Sequence, residues 1–285
     1  MARPVSPKPV DVSDTLQPRP SGPEYRQASL AAPSTITRRR RYHASMLRGD
    51  FFVLRNLKKF LESTLRERVK PGTSVADVGC GEQPLRALIT TLGGRYTAID
   101  LHQNADNTVD VLADITSIPL PDEAFNLLVC SEVLEHVSDP SAALAELGRL
   151  CRPGGSILIT TPFAYPLHEE PRDFVRLTPY QLTRYADGNR LEVVQLTTAG
   201  DELQVLATVW CNLWSRSGPQ PRGLWRAFWN AAMRLPVNAM VYALGPAVRS
   251  LLPHKYFLST FCILAKPGGH AIHPSQQFGA PDATE

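Results

Sequence analysis

An apolar segment that ends in an acid and runs into a glycine turn is the first candidate site in this sequence. The stretch 74–84 carries Asp77 near the end of its apolar part, and Gly79 and Gly81 follow in the turn. Glycines let the backbone pass close to a bound ligand. Pro84 suits the first turn of a helix, whose free N–H groups attract polar or anionic ligand groups. These residues predict a ligand cradle where a strand meets a helix.

A second acid follows about 20 residues later, at the end of the apolar segment 96–100. A strand, a glycine turn, a helix and a second strand ending in an acid form the geometry of an adenosine site. The acid, here Asp100, accepts hydrogen bonds from both ribose hydroxyls. A dinucleotide site requires the pattern G-x-G-x-x-G, and position 84 is Pro. The sequence therefore disfavours a dinucleotide cofactor.

The motifs, taken in order, resemble the class I S-adenosylmethionine-dependent methyltransferases, specifically the small bacterial type related to ubiquinone-type O-methyltransferases. They read Asp-Val-Gly-Cys-Gly, Ile-Asp, Ala-Asp-Ile, Ser-Glu-Val-Leu-Glu-His and Arg-Pro-Gly-Gly, within roughly residues 70–200. The resemblance implies S-adenosylmethionine as cofactor. It also implies an α/β fold with a doubly wound, seven-stranded, mostly parallel sheet, an antiparallel last strand, helices on both faces, and a helical insertion between strands six and seven.

The resemblance also assigns cofactor-binding residues. Asp77 and the glycine turn would hold the methionine end, and Asp100 the ribose. Asp114 would meet the adenine amine, and Ser131 would lie beside the transferred methyl group. The family turn usually reads G-x-G-x-G, and Gln83 stands in place of the third glycine, where it would narrow the methionine pocket or adopt an allowed conformation. The full set is Asp77, Gly79, Gly81, Asp100, Asp114, Ile115 and Ser131.

A cluster of possible metal ligands follows the expected fourth strand, at the sheet edge where ligands bind. Glu132, Glu135 and His136 would share one face if the segment were helical. The pattern resembles the magnesium-binding set of ubiquinone-type O-methyltransferases and of small-RNA 2′-O-methyltransferases, which His168 would complete. The same residues also suit a structural turn before Pro140. We assign no metal ligand from the sequence, and both interpretations stay open.

The polar, proline-rich loop 161–176 is predicted to bind the methyl acceptor. Methyl transfer is an in-line displacement, so alignment of the reacting atoms lowers most of its barrier. A hydroxyl acceptor must also lose a proton. An unperturbed histidine has a pKa of about 6.5, which makes His168 the first candidate base, followed by Asp173 and His136.

Composition narrows the class of protein. A chain of 285 residues suits one α/β domain with attachments. The net charge of +3 does not indicate extensive nucleic-acid binding, and we expect no DNA partner. The five cysteines are widely spaced and are predicted to be reduced, mostly buried thiols of a cytoplasmic protein.

Segment composition and periodicity divide the chain. We expect no structure in the Pro-rich N-terminal tail, which lacks hydrophobic periodicity. Asp50 is a suitable N-cap for the first helix. Within the core, 84–92 is predicted to be helical and 152–155 to form a turn. The segments are the disordered tail 1–35, a basic segment and helix 36–70, the cofactor-binding core 71–200, an aromatic helical insertion 201–256, the final strand 257–268 and a disordered tail 269–285.

The insertion is unusually aromatic and contains all four tryptophans. Its charge-free stretch 235–248 is too short to cross a bilayer, which needs about 20 residues, so no transmembrane span is expected. We favour a helical cap that covers the acceptor pocket and buries the aromatic face of Trp225, Phe228 and Trp229. In the alternative, 224–235 contacts a membrane surface.

These features predict a cytoplasmic enzyme, with peripheral membrane contact as the alternative. It would be an S-adenosylmethionine-dependent methyltransferase that acts on a small-molecule or lipid-like acceptor, at oxygen. Two other functions stay open. One is an RNA methyltransferase that uses the arginine run 38–41 as a phosphate contact, and the other is a non-catalytic cofactor-binding scaffold.

Overall fold

Buried apolar strands form the centre of the structure, a computed structural model that describes residues 44–216 and 224–268. The strands are β1 (Ser74–Val78), β2 (Arg95–Asp100), β3 (Val111–Leu112), β4 (Phe125–Ser131), β5 (Cys151–Pro162), β6 (Glu192–Ala199) and β7 (Ser259–Ala265). The helices are α1 (Phe51–Arg68), α2 (Arg86–Thr91), α3 (Pro140–Leu150), α4 (Pro179–Gly188), α5 (Glu202–Arg216) and α6 (Leu224–Val248). Short 3-10 turns occupy Leu134–His136 and Arg249–Leu251.

The strands form one seven-stranded sheet in the order β3-β2-β1-β4-β5-β7-β6. The neighbours from β3 to β5 pair in parallel, and β7 pairs antiparallel with both β5 and β6. Every residue of β1 is buried, as expected for a parallel strand that helices cover on both faces. The predicted fold class is confirmed, including the antiparallel last strand and the helical insertion that precedes it.

Helices on both faces of the sheet complete the core. On one face, α3 and α4 place Leu144, Leu147 and Leu182 against the strands. On the other face, α1 places Leu61 and Leu65 there. Burying a leucine contributes about 1.5–3 kcal/mol, so all three helices are held mainly by these apolar contacts. The carboxyl ends of the parallel strands are thereby fixed at one edge.

Three local features differ from the sequence predictions. Asp50 precedes α1 as expected, but its side chain makes no cap hydrogen bond. Its Oδ1 instead accepts a hydrogen bond from Nε of Arg48 at 2.7 Å. The predicted helix 84–92 is shorter, because α2 begins at Arg86. The expected turn 152–155 lies inside β5, where Gly154 has φ +76° and donates its N–H to the carbonyl of Lys266 at 2.8 Å.

The insertion packs at the N-terminal end of α1. Ala207 of α5 and Val241 of α6 join Phe52 in a buried cluster, and Tyr165 of the loop 161–176 packs against it. Asn238 of α6 is buried, and its Nδ2 donates to the carbonyls of Met46 and Arg48 at 2.7 and 3.1 Å. The insertion therefore contacts the loop 161–176 through Tyr165.

The predicted burial of the aromatic face is wrong for two of its residues. Trp225 is 70% exposed and Phe228 is 64% exposed. The face of α6 that packs inward is a different one, because Asn238 and Val241 occupy it.

Several expectations concern the rest of the chain. All five cysteines are buried and free, and burial raises the pKa of Cys151 to about 11. None of the described helices combines the length and apolar character needed to cross a membrane. The arginine run 38–41 and the two tails expected to be disordered, 1–35 and 269–285, lie outside the described residues.

Candidate functional site

Gly79 begins the turn after β1, at a position where the neighbouring Val133 leaves no room for a side chain. Its φ is +73°, a left-handed conformation that favours glycine. A Cβ at this position would lie 2.3 Å from Cγ2 of Val133. The Gly79 N–H donates to the carbonyl of Ile99 at 2.8 Å, so the turn is bonded to β2. The strand-to-turn junction is thus packed against the segment after β4.

Asp100 closes the other side of this turn. Its Oδ2 accepts the N–H of Gly81 at 2.8 Å, and its Oδ1 accepts the N–H of His102 at 3.1 Å. Each carboxylate oxygen can accept more than one hydrogen bond. The half-buried carboxylate is thereby fixed in place, and its two oxygens keep capacity for a pair of hydroxyl donors.

Gln83 adopts the left-handed conformation that a third glycine would adopt, with φ +54°. Its Nε2 donates to the carbonyl of Thr108 at 2.7 Å, and its Oε1 accepts from Nε of Arg86 at 2.6 Å. These bonds hold a non-glycine residue in an uncommon but allowed region. Of the two outcomes expected for Gln83, the structure shows the allowed conformation.

Asp77 lies buried near the end of β1 and accepts the hydroxyl of Tyr96 at 2.6 Å. Burial and the charge of Asp77 raise the pKa of Tyr96, so its hydroxyl stays protonated and donates. Sequence reasoning missed Tyr96. The parallel pairing of β1 with β2 could have identified it. Asp77 lies beside Ala98, and Tyr96, two residues before Ala98, is on the same face of β2.

The remaining predicted cofactor residues occupy the ends of β3 and β4. Asp114 is exposed and accepts the N–H and hydroxyl of Thr116 at 2.8 and 2.7 Å. Ile115 is half-buried against the core. Ser131 is buried, with its Oγ 2.9 Å from Oγ1 of Thr160 on β5.

A second cluster lies after β4 and combines three predicted residues. Ligand atoms of Glu135, His136 and His168 all lie within 4.8 Å of one another. The segment is not an α-helix that would align Glu132, Glu135 and His136 on one face, because only Leu134–His136 forms a turn of 3-10 helix. Glu132 has φ +56° and, among the described residues, does not join this three-residue group.

Hydrogen bonds fix the orientation of both histidine rings. Nδ1 of His136 lies 2.9 Å from the carbonyl of Arg172, so this nitrogen carries the proton. Nδ1 of His168 lies 3.2 Å from Oδ2 of Asp173 and is assigned the proton in the same way. The Nε2 atoms of His136 and His168 then lie 3.6 and 3.9 Å from the same oxygen, Oε1 of Glu135. Two imidazole lone pairs therefore converge on one carboxylate.

Asp173 orients His168 and does not suit the base role expected for it. Burial raises the pKa of Asp173, but hydrogen bonds from Arg176 and from the His168 N–H, at 3.0 Å, outweigh burial and lower it to about 2. A carboxylate with so low a pKa is a poor proton acceptor at neutral pH. Burial and the neighbouring His136 lower the pKa of His168, which keeps its ring neutral.

The cluster has the donors and the outer contacts of a site for a divalent cation. Imidazole nitrogen and carboxylate oxygen are ligands for divalent transition metals, and carboxylates also suit magnesium. Metal-binding histidines commonly donate their second N–H to a carboxylate or a backbone carbonyl, as His168 does to Asp173 and His136 to Arg172. Glu135, His136 and His168, with two imidazoles and one carboxylate, thus fit a divalent transition metal better than the magnesium that the resemblance implies.

Arg172 links this cluster to the cofactor turn. Its carbonyl faces His136, and its Nη1 lies 3.4 Å from Nε2 of His102. The N–H of His102 in turn bonds Asp100. The loop 161–176 and Asp100 are therefore neighbours at the same edge of the sheet.

Comparison with known proteins gives matches in sequence and in fold. A family described as a methyltransferase domain matches residues 76–159. A malonyl-acyl-carrier-protein O-methyltransferase from Serratia marcescens is 40% identical over 110 residues, which are 35% of this chain and 42% of that protein. A ubiquinone biosynthesis O-methyltransferase from Xanthomonas oryzae pv. oryzae (strain PXO99A) is 31% identical over 193 residues, 61% of this chain and 77% of that protein.

Among solved structures, a (4+2)-cyclase, SpnF, superimposes with a TM-score of 0.50 at 19% identity, over 74% of this chain and 82% of that chain. At this identity the match shows the shared fold alone. The relative from Xanthomonas oryzae is matched over most of its length, and the glycine turn, the acid after β2 and the sheet order agree with that match. The chain therefore belongs to the class I S-adenosylmethionine-dependent methyltransferases, enzymes whose cofactor is S-adenosylmethionine.

Proposed function

We propose that the protein transfers the methyl group of S-adenosylmethionine to an oxygen atom of a small-molecule acceptor bound beside Glu135, His136 and His168. The observation that carries this proposal is the convergence of two Nε2 lone pairs on the buried carboxylate of Glu135. An acceptor hydroxyl must lose its proton, and this cluster offers the groups to take it. The two relatives named above are both O-methyltransferases by name.

The cofactor would bind at the turn after β1. Asp100 is the ribose ligand, because both of its oxygens are oriented by backbone N–H groups and retain acceptor capacity. Gly79 and Gly81 let the chain approach the methionine end, close to buried Asp77 and Ser131. Asp114 with Ile115 borders the adenine. Bound S-adenosylmethionine supplies an electrophilic methyl group on a sulfonium centre.

His168 is the proton acceptor in this proposal. Asp173 holds its Nδ1–H, which leaves the Nε2 lone pair available on the side of Glu135. The lowered pKa of His168 keeps the ring neutral and able to accept a proton at pH 7. Arg176 forms an ion pair with Asp173, so charge-assisted contacts from Arg176 to Asp173 and from Asp173 to His168 fix the position of the base.

A divalent cation fits the same cluster, with Glu135, His136 and His168 as its ligands. When bound, it would act as a Lewis acid that lowers the pKa of an acceptor hydroxyl. The chain's own part in either case is to hold the two imidazole rings in one orientation, through Asp173 and the Arg172 carbonyl.

The test measures S-adenosylhomocysteine formation with a panel of phenolic and carboxylic acceptors, and determines the methylated atom. His168→Asn should lower kcat by about 10²–10⁴-fold and leave the affinity for S-adenosylmethionine unchanged, because a base acts only in the chemical step. His254→Asn, at an exposed histidine outside this cluster, is the matched control and should retain wild-type kcat. Methylation found only at nitrogen or carbon, or an unchanged kcat in His168→Asn, contradicts the proposal.

Measuring the same activity with and without divalent cations distinguishes a mechanism in which His168 is the base from one in which a cation acts as Lewis acid. Exhaustive chelation should abolish activity if the cation is required, and added Mn²⁺ or Mg²⁺ should restore it. Calorimetry with Mn²⁺ should then show binding to wild type that Glu135→Gln weakens. Full activity after chelation removes the cation and leaves His168 as the base.

A further inference from the structure

The insertion exposes apolar side chains along two helices. On α6 the exposed set Trp225, Phe228, Ala232 and Leu235 recurs at three- and four-residue spacing, which places it on one face. On α5 the exposed set Leu206, Val209 and Leu213 recurs in the same way. We call these two sets the apolar stripes.

The inner faces of the same helices are already occupied. Ala207 and Cys211 of α5 and Asn238 and Val241 of α6 are buried, and Cys211 Sγ lies 3.7 Å from Oδ1 of Asn238. A helix that is apolar on all sides is ordinarily covered on all sides. The apolar stripes therefore require a partner that the packing of the described residues does not supply.

The charges of the insertion favour an anionic partner. The insertion has two acids at its start, Asp201 and Glu202, and residues 203–256 contain no Asp or Glu. Their cationic residues are Arg216, Arg222, Arg226, Arg234, Arg249 and Lys255. Pairing two copies of this chain through such a segment would bring cations against cations, which opposes self-association.

A neighbouring cleft adds further positive charge. It has a volume of about 700 Å³ and is lined in part by Arg55 and Lys59 of α1 and by Arg249, which pairs with buried Asp201 at 3.7 Å. Arg55 lies over the ring of Tyr242 at 5.0 Å, so this cleft adjoins an exposed residue of α6. The cleft therefore places cationic groups beside the exposed Tyr242 of α6.

We propose that the insertion docks on the surface of an anionic phospholipid membrane, with the apolar stripes in the interfacial layer and the net positive charge of residues 203–256 attracted to the headgroups. Exposed tryptophan and phenylalanine beside cations are the pattern of interfacial helices that lie on a membrane. A nucleic-acid partner explains the cations but not the exposed leucines. The docking requires no membrane-spanning segment.

The test is co-sedimentation of the full chain with vesicles. One set contains equal phosphatidylglycerol and phosphatidylcholine, and the other contains phosphatidylcholine alone. Wild type should sediment with the anionic set, and less at high salt. The double variant Trp225→Ser/Phe228→Ser should weaken this partition about tenfold or more, since both side chains are exposed and their loss leaves no cavity.

Tyr180→Ser is the matched control, because Tyr180 of α4 is 84% exposed and lies outside the insertion. It should partition as wild type does, and both variants should bind S-adenosylmethionine with wild-type affinity. The proposal is overturned if wild type stays in the supernatant with both vesicle sets, or if the double variant partitions as wild type does. Self-association that the double variant abolishes, without vesicle binding, assigns the surface to a second copy and also overturns it.

Discussion

At the scale of single residues, Gly79 carries a sharp steric requirement. Gly79→Ala would place a Cβ 2.3 Å from Val133 and keep φ at +73°. Backbone strain and overpacking together should lower the free energy of unfolding by about 2–5 kcal/mol. Gly72→Ala is the control, because Gly72 has φ +85° with nothing within 4 Å of its Cβ, and should lose only about 1–2 kcal/mol. Urea denaturation measures both losses. Equal losses would show that the contact with Val133 is unimportant.

Residues whose roles depend on nearby sequence were predictable, and residues whose roles depend on distant partners were not. Asp100 and the two glycines follow from spacing along the chain, and the structure places all three at one turn. The bond of Tyr96 to Asp77 depends on sheet register, which motifs do not encode. Asp173 looked like a base by its residue type, and its position beside Arg176 gives it a positioning role.

At the scale of elements, Glu146 ties α3 to the segment before β4. Its Oε1 accepts a hydrogen bond from Nη2 of Arg149 at 2.7 Å and another from the N–H of Ile118 at 2.6 Å. The Arg149 contact, against the opposing effect of burial, holds the pKa of Glu146 below its ordinary value. This ionised side chain therefore stabilises the junction of the two elements.

The effect of pH follows from the sign of that shift. A carboxylate with a depressed folded-state pKa stabilises the protein above its unfolded-state pKa and loses that contribution as pH falls through the folded-state value. Glu146→Gln should therefore cost about 1–2 kcal/mol at neutral pH, and this difference from wild type should shrink as the pH falls from neutral to below the ordinary range of a glutamate. Thermal or urea unfolding across this range measures it, with Asp187→Asn, at an exposed carboxylate, as control. A difference that stays constant with pH would contradict the assignment.

The order and type of elements could be predicted, whereas their ends depended on particular contacts. The apolar runs of β1 and β4 and the periodicity of α1 identified those elements. The helix α2 begins at Arg86 and not at the predicted residue 84, because Gln83 adopts a left-handed conformation just before it. Gly154 was taken as the centre of a turn, and its N–H instead pairs with Lys266, just after β7.

At the scale of the whole molecule, the sheet order brings two sites to one edge. β1 and β2 supply the glycine turn and Asp100, and β4 and the loop after β5 supply Glu135, His136 and His168. Arg172 lies between them, facing His136 through its carbonyl and His102 through its guanidinium. An acceptor at the histidine cluster would therefore lie near a cofactor held at Asp100, as in-line methyl transfer requires.

The most direct test of the cofactor site is calorimetric titration of S-adenosylmethionine into wild type, Asp100→Ala and the remote control Asp187→Ala. Asp100→Ala should lose about 1.5–3 kcal/mol of binding free energy, roughly 10- to 150-fold in affinity, because charge-assisted hydrogen bonds to the ribose are removed. Asp187→Ala should bind as wild type does. An unchanged dissociation constant in Asp100→Ala, or no measurable binding by wild type, would contradict the cofactor site described here.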